Sequence, residues 1–334
     1  MTSDRIKPAQ IHPLAGPSQA ERDRLIGLER TAANHSAALA GLDCLQRVEV
    51  APARSSEPFG FPLTIAAWNL ERCYDVERSA DLLASAGTDV ALLSEVDNGM
   101  DRTGQRHTSR DVAAQLGMTH AFGVEFLELE AGGPTELQYC HDGFNRHGFH
   151  GNAVLARGGL QAPVMIRLPD QLFWFNTEVS ARIGSRCAIA AAVATEAGPL
   201  YVVSVHLESR GDAPHRGNQM RVLFDTIDSL AGDIPVVIGG DLNTGLADGG
   251  DFEKETLFAD ARSRGYERHG GPLEQMTTRA SRVSRNPTRA FKLDWFLTRG
   301  VEVTESRIVP SVAPDSEVLS DHDMVVLTIA GLRR

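Results

Sequence analysis

The chain has 334 residues, 42% hydrophobic and 23% charged, which is the usage of a globular protein with a sizeable buried core and sets disorder aside as the default. Its 44 acidic side chains outnumber 33 lysines and arginines, giving a formal charge of -11 that disfavours nucleic-acid binding driven by phosphate neutralisation. Cys44, Cys73, Cys140 and Cys187 form no C-x-x-C pair, which sets aside a zinc ribbon or dithiol motif and leaves reduced, packing thiols.

In chain order, Met1 to Leu14 mixes Asp4, Arg5, Lys7 and His12 with few apolar residues and lacks the apolar core of a signal peptide. No later stretch reaches the ~18 to 20 consecutive apolar residues of a membrane span. A cytoplasmic protein without an integral membrane segment is expected. Ser18 and Glu21 form a capping box ahead of Leu25, Ile26, Leu28 and Ala32, which predicts a helix from Gln19 to Ala40. Ala51 to Pro58 has the composition of a linker. Residues 1–58 therefore read as a helical extension with a linker, and 59–334 as the catalytic domain.

Beyond the linker, short apolar runs alternate with amphipathic stretches. Strands are predicted at Leu63 to Trp68 and Val90 to Ser94, around a helix from Val76 to Ala86 capped by Asp75. A helix at Thr108 to Leu116 precedes strands at Ala121 to Leu129 and Ala153 to Ala156, with a long Gly- and His-rich loop between them. Cys187 to Thr195 and Leu200 to Leu207 flank the turn Glu196-Ala197-Gly198-Pro199 and predict an antiparallel hairpin, so the sheet is mixed. Helices follow at Asn218 to Leu230 and Phe252 to Arg264, with the strand Pro235 to Ile238 between them. Strands at Leu293 to Thr298, Val301 to Val309 and Met324 to Ile329 end the chain, and sheets covered by helices are expected.

Many of these strands run straight into a residue suited to metal or phosphate chemistry. Trp68 is followed by Asn69, and Ser94 by Glu95; His206 ends the run Val202 to Val205. Asp241 and Asn243 follow Val236 to Gly240, and Asp321-His322 precede the last strand. A single carboxylate there is usually a turn former or helix cap. The set is more specific than its members. Mg²⁺ needs only a few carboxylate oxygens and completes its shell with water and phosphate. Phosphoryl transfer then needs donors around developing negative charge and an acceptor for a water proton, which histidines and Asp241 can supply. An Asp beside a His fixes its tautomer and raises its pKa.

Competing chemistries lack their signatures. There is no G-x-S-x-G, no Gly-Lys-Ser/Thr after a Gly-rich turn and no H-E-x-x-H. The chain resembles the endonuclease/exonuclease/phosphatase superfamily in seven segments that follow that family's order from about Leu63 onward. They are Ala67-Trp68-Asn69, Leu93-Ser94-Glu95-Val96, Gly151 to Arg157, Ser204-Val205-His206-Leu207, Gly239-Gly240-Asp241-Leu242-Asn243, Leu293-Asp294-Trp295-Phe296 and Ser320-Asp321-His322.

The resemblance implies an α/β fold, a four-layer αββα sandwich of two mixed sheets flanked by helices as in DNase I. It implies a Mg²⁺-dependent phosphoesterase, with Mn²⁺ as the alternative ion. Glu95 would be the principal metal ligand, with Asn69 and Asp321 beside it. Asp241 and His322 would jointly handle the attacking water's proton, His322 held by Asp294. His206 would stabilise the transition state, and Asn243 and Asn152 would lie at the phosphate. The carboxylate that orients His206 is open, with Glu208 a candidate. Arg102 in Asp101 to His107, and His150 in His141 to His150, are candidate phosphate contacts or part of a solvated loop.

The expected partner is a phosphate ester that is small or lipid-like. A nuclease is the alternative, its basic track Arg279, Arg282, Arg285, Arg289 and Lys292. A non-catalytic binding module on the same fold is the reading from another class. Oligomeric state is left open.

Overall fold

A computed structural model describes residues 5–51, 57–177, 180–285 and 290–333. The chain opens with strand β1 (Ile6–Gln10), helices α1 (Gln19–Ile26) and α2 (Ala32–Gly41), and strand β2 (Val48–Val50). The single helix expected from Gln19 to Ala40 is two, because Gly27 ends the first and the Thr31 hydroxyl accepts from the Asn34 amide to start the second. Most of the expected linker, 52–56, lies outside the described residues.

Next come β3 (Leu63–Arg72), α3 (Val76–Ser85), β4 (Val90–Asn98), α4 (Thr108–Leu116) and β5 (Thr119–Glu128). The one-turn α5 (Pro134–Leu137) sits in the long loop before β6 (Phe149–Ala156) and β7 (Gln161–Arg167). Then follow β8 (Arg182–Gly184), β9 (Cys187–Thr195), β10 (Gly198–His206), α6 (Ala213–Ala231) and β11 (Val236–Asp241). The chain closes with α7 (Thr256–Ser263), β12 (Glu267–His269), β13 (Asp294–Arg299), β14 (Val301–Val309) and β15 (Met324–Leu332). Helix α6 starts earlier than its apolar pattern predicts, because Asp212 caps it and Pro214 fits the first turn.

The expected hairpin is β9–β10, antiparallel from Gly198↔Thr195 to Val205↔Ala188. Parallel pairs β3–β4 and β10–β11 are joined by crossovers through α3 and α6, so the sheet is mixed as expected. Two separate sheets were expected. Instead β1 pairs antiparallel with β7 and parallel with β2, joining both halves into one 15-stranded sheet. The N-terminal segment is therefore built into the sheet rather than appended to it. Its strand, Ile-Lys-Pro-Ala-Gln, has no apolar alternation and finds its partners only in the folded chain.

Alternation along the strands places the cores. In β4, Ala91 and Leu93 face the helices α1 to α4, while Leu92 between them faces inward. Leu92, Ile65 and Val154 meet Ile189, Val202 and Val237 of the other half in an inner core. Helices α6 and α7 press Met220, Leu223, Phe224 and Leu257 onto Val203, Val205 and Ile238. Among the described residues no helix is long and apolar enough to cross a membrane.

Arg22 ties the N-terminal segment down. It is 5% exposed and reaches from α1 to donate to the Glu128 and His147 carbonyls. Arg22→Met keeps an apolar stem but leaves both carbonyls unpaired, which is expected to lower stability by about 1–3 kcal/mol. The measurement is the urea midpoint at constant slope; an unmoved midpoint would mean that α1 contributes nothing to the fold.

Candidate active site

Three adjacent strands bring their ends into one row, because His206 of β10 pairs with Asp241 of β11, and Asp241 pairs with Asp294 of β13. The approach of β10 and β11 depends on Gly240 at φ +150, where a Cβ would lie 1.9 Å from the Val205 carbonyl oxygen. The other half of the sheet supplies Asn69 from β3 and Glu95 from β4. Both lie where the strand register shifts, and Glu95 has φ +52, so local bulges turn these side chains toward the site.

The segment carrying His322 is tied to β3 by two hydrogen bonds and braced by a third within itself. Trp68 Nε1 donates to the His322 carbonyl oxygen at 2.8 Å, and Ser320 Oγ donates to the Asn69 carbonyl oxygen at 2.6 Å. The same Oγ accepts from the His322 amide at 3.0 Å. These contacts explain why Trp68 and Ser320 accompany Asn69 and His322.

Asp241 is the hub. Its Oδ2 accepts from Asn69 Nδ2 at 3.1 Å and its Oδ1 from the Asn243 amide at 2.9 Å. Two imidazoles face the same Oδ2, His206 Nε2 at 3.6 Å and His322 Nε2 at 3.7 Å. Each ring is held from behind by a buried carboxylate: His322 Nδ1 lies 2.8 Å from Asp294, and His206 Nδ1 lies 3.3 Å from Glu125. Glu95 is 4.0 Å from His206 Nε2, and Asp321 is 4.0 Å from His322 Nε2. The expected set of Asn69, Glu95, His206, Asp241, Asn243, Asp294, Asp321 and His322 thus forms one centre.

Other expectations end differently. Arg102 has a fully buried side chain, spent on Asp97, Glu128 and Glu136, so it is not open to a substrate. His150 is likewise buried, 2.9 Å from Asp97, and burial first, then Arg72, hold its pKa well below an ordinary histidine's. Asn152 is buried and donates to the Cys187 carbonyl oxygen at 2.9 Å, with no contact to Asp241 or the histidines among its hydrogen bonds. Asn243 donates to the Leu207 carbonyl oxygen, which leaves one amide hydrogen for a ligand. Glu208 does not bond His206; it accepts from Trp174 Nε1 and pairs with Arg186.

Sequence reasoning missed Glu125, Arg186, Arg72 and Glu71. Arg186 Nη1 lies 2.9 Å from His206 Nδ1 and 3.2 Å from Glu125. Burial acts to raise the Glu125 pKa, but His206 and Arg186 outweigh it and hold it at about 2. A signal for Glu125 existed, since a carboxylate inside the otherwise apolar run Ala121 to Leu127 is costly unless a cation awaits it. Arg72 pairs with Glu95 and with Glu136. Glu71 is buried and accepts from the Asp321 amide and from Ser281.

The donors suit a hard divalent cation. Side-chain oxygens dominate, and Glu95 and Asp321 keep 19% and 24% of their side chains exposed while Asp241 and Asp294 are buried. Asp241, Asp294 and His322 place ligand atoms within 4.8 Å of one another, although the last two are engaged with each other.

A mixed, helix-covered sheet with this centre at its strand ends defines a DNase I-like α/β fold. The sequence profile of the Endonuclease/Exonuclease/phosphatase family matches residues 66–322, and the chain belongs to that family. Its members include phosphoesterases and nucleases, are typically hydrolases of phosphoester bonds and commonly use divalent metal ions. Among solved structures, the fold is similar to an endonuclease/exonuclease/phosphatase from Beutenbergia cavernae, with TM-score 0.58 and 18% identity over 81% of this chain and 72% of that one. The human Nocturnin catalytic domain with bound sulfate gives TM-score 0.54 and 18% identity, covering 85% of this chain and 97% of that one. D. rerio TDP2 complexed with single strand DNA product gives 0.52 and 18%, covering 80% and 99%. No curated protein matches the sequence.

Burial opposes charge on the His322 ring, but Asp294 and Asp241 outweigh it and hold its pKa well above an ordinary histidine's. A raised folded pKa means that the stabilisation is complete below about pH 6.5 and is lost as pH rises through the folded value. Imidazole nitrogen shifts in NMR spectra of the metal-free protein are therefore expected to show protonated His322 at pH 7, with a lower midpoint in Asp294→Asn. A ring already neutral at pH 7 contradicts this.

Proposed function

We propose that this protein is a Mg²⁺-dependent phosphodiesterase that hydrolyses a small or lipid-like phosphate ester by in-line attack of an activated water. The observation that supports it is the convergence of two carboxylate-backed imidazoles on Asp241 Oδ2, with Glu95 and Asp321 each 4.0 Å from one of them. When bound, the ion would polarise a phosphoryl oxygen and offset its charge; Mn²⁺ could replace it.

The chain's own residues do the rest. Glu95, Asn69 and Asp321 would hold the ion. Asp241, kept in place by Asn69 and the Asn243 amide, orients the water and accepts its proton, while the protonated His322 ring beside it serves as a donor. His206 and His322 donate from Nε2 to oxygens that gain charge as the pentacovalent species forms. Glu125 and Asp294 fix those rings so that Nε2 faces the phosphate. Asn243 has an amide hydrogen left for a phosphate oxygen.

A compact ester is favoured over a polynucleotide because, of the five cations in the basic stretch, two are paired with carboxylates and two more are spent on neutral acceptors within the protein. Arg279 pairs with Asp323 and Arg282 with Glu317, while Arg285 donates to Gln138. Lys292 is buried, donating to the carbonyls of Gly270, Pro272 and Gln275. Arg289 lies outside the described residues. The D. rerio TDP2 complex, with its single strand DNA product, makes DNA the substrate to test against.

Hydrolysis of a bis-aryl phosphodiester is expected with Mg²⁺ or Mn²⁺ and not with EDTA. Asp241→Ala and His322→Ala should each lower kcat by about 10²–10⁴-fold with the fold retained. Turnover that ignores both metal and Asp241 would point to a binding module with a contaminating activity.

Duplex DNA is expected to bind weakly and with little salt dependence. A steep fall in affinity between low and moderate salt would transfer the assignment to a nuclease.

A further inference from the structure

Immediately after Asn69 the backbone does something uncommon. Glu71, Arg72 and Cys73 have φ of +44, +79 and +59, so three consecutive residues with side chains occupy the left-handed region. Such strain persists only where the surroundings hold it, and it clusters at functional sites. Here it aims the Arg72 guanidinium at Glu95, the carboxylate expected to carry the metal.

The far side of that guanidinium is anchored in the core. Arg72 Nε donates to Glu136 Oε1 at 2.9 Å, and the same oxygen accepts from Arg102 Nη1 at 3.0 Å. Arg102 is gripped by both oxygens of Asp97, at 2.8 and 2.9 Å, and by Glu128 at 2.9 Å. Glu136 also accepts from the Gly133 amide at 2.9 Å. Arg72 is thus held at its base by a buried charge network while its tip, on a side chain 15% exposed, faces the site. A purely structural ion pair needs neither the strained backbone nor a partner at the catalytic centre.

We propose that Arg72 is a resident cation of the active site: it balances Glu95 when no metal is bound and donates to a non-bridging phosphate oxygen when Glu95 ligates the ion. The planar guanidinium suits the second task, since one edge stays with Glu136 while another turns to a tetrahedral anion. The inference rests on the phosphodiesterase reading for its second half. Its first half concerns the metal alone.

The test titrates Mn²⁺ into the full chain by calorimetry and follows phosphodiester hydrolysis in parallel. Removing the competing charge in Arg72→Gln, which can still bond Glu136, should tighten Mn²⁺ on the order of tenfold. The same variant should lose kcat on the order of 100-fold with little change in KM. Arg72→Lys keeps the charge, so its Mn²⁺ affinity should stay near wild type, yet it should recover only part of kcat because it cannot hold Glu136 and the phosphate together. Arg72→Gln with unchanged or weaker Mn²⁺ binding and a native melting temperature overturns the proposal, as does a kcat within a few-fold of wild type. Calorimetry decides the metal half even where no ester is turned over, so a wrong substrate class and a wrong role for Arg72 give different results.

Discussion

Burying carboxylates is the constraint on which this centre depends. Asp241, Asp294, Glu125 and Glu208 are each at most 2% exposed, and a lone ionised carboxylate at such depth costs several kcal/mol. Each is therefore met by donors: Asp241 by two amides and two imidazoles, Asp294 by His322, Glu125 by His206 and Arg186, and Glu208 by Arg186 and Trp174. No member is stable in this place alone. Changing one leaves its partner as an uncompensated buried charge, which ties the chemistry of the centre to the stability of the fold around it.

That arrangement requires the ends of strands from both halves of the sheet to meet within hydrogen-bond reach. Register delivers one side, since His206, Asp241 and Asp294 are direct neighbours across β10, β11 and β13. Irregularity delivers the other, since the shifts after Asn69 and Leu93 turn Asn69 and Glu95 out of the regular pleat. Ser320 and Trp68 then fasten the His322 segment across the gap. β1 adds a second link by pairing with both halves, so the relative placement of the halves is set at two places.

The fold and much of the centre were legible because they rest on local pattern. Apolar runs set the main strands, and polar residues at their ends named Asn69, Glu95, His206, Asp241, Asn243, Asp321 and His322. Resemblance added Asp294. What stayed hidden depends on tertiary placement. Arg102 and His150 read as exposed candidates because loops usually face water, yet they fill a buried charge network with Asp97, Glu128 and Glu136. Glu125 sits mid-strand and Arg186 ahead of a hairpin, and only their meeting at His206 gives either a role. β1 escaped for a similar reason, having no apolar alternation of its own.

Charge around the centre bears on what can be bound there. Carboxylates, including Glu71, Glu95 and Asp321, outnumber the fixed cations Arg72 and Arg186 even with His322 protonated. An anionic ester entering alone would meet net repulsion, and the overall charge of -11 adds to it at long range. In the mechanism proposed, compensation would come from a divalent ion held by oxygen ligands, an effect strongest within a few ångströms of the site and screened beyond about 10 Å at ordinary ionic strength. Such compensation reaches one phosphate well and its neighbours along a polynucleotide poorly. Arg279 and Arg282 on that flank are already paired to carboxylates, which weakens the positive charge available there to a second phosphate. This is why the proposed substrate is one whose charge is concentrated on the reacting phosphate.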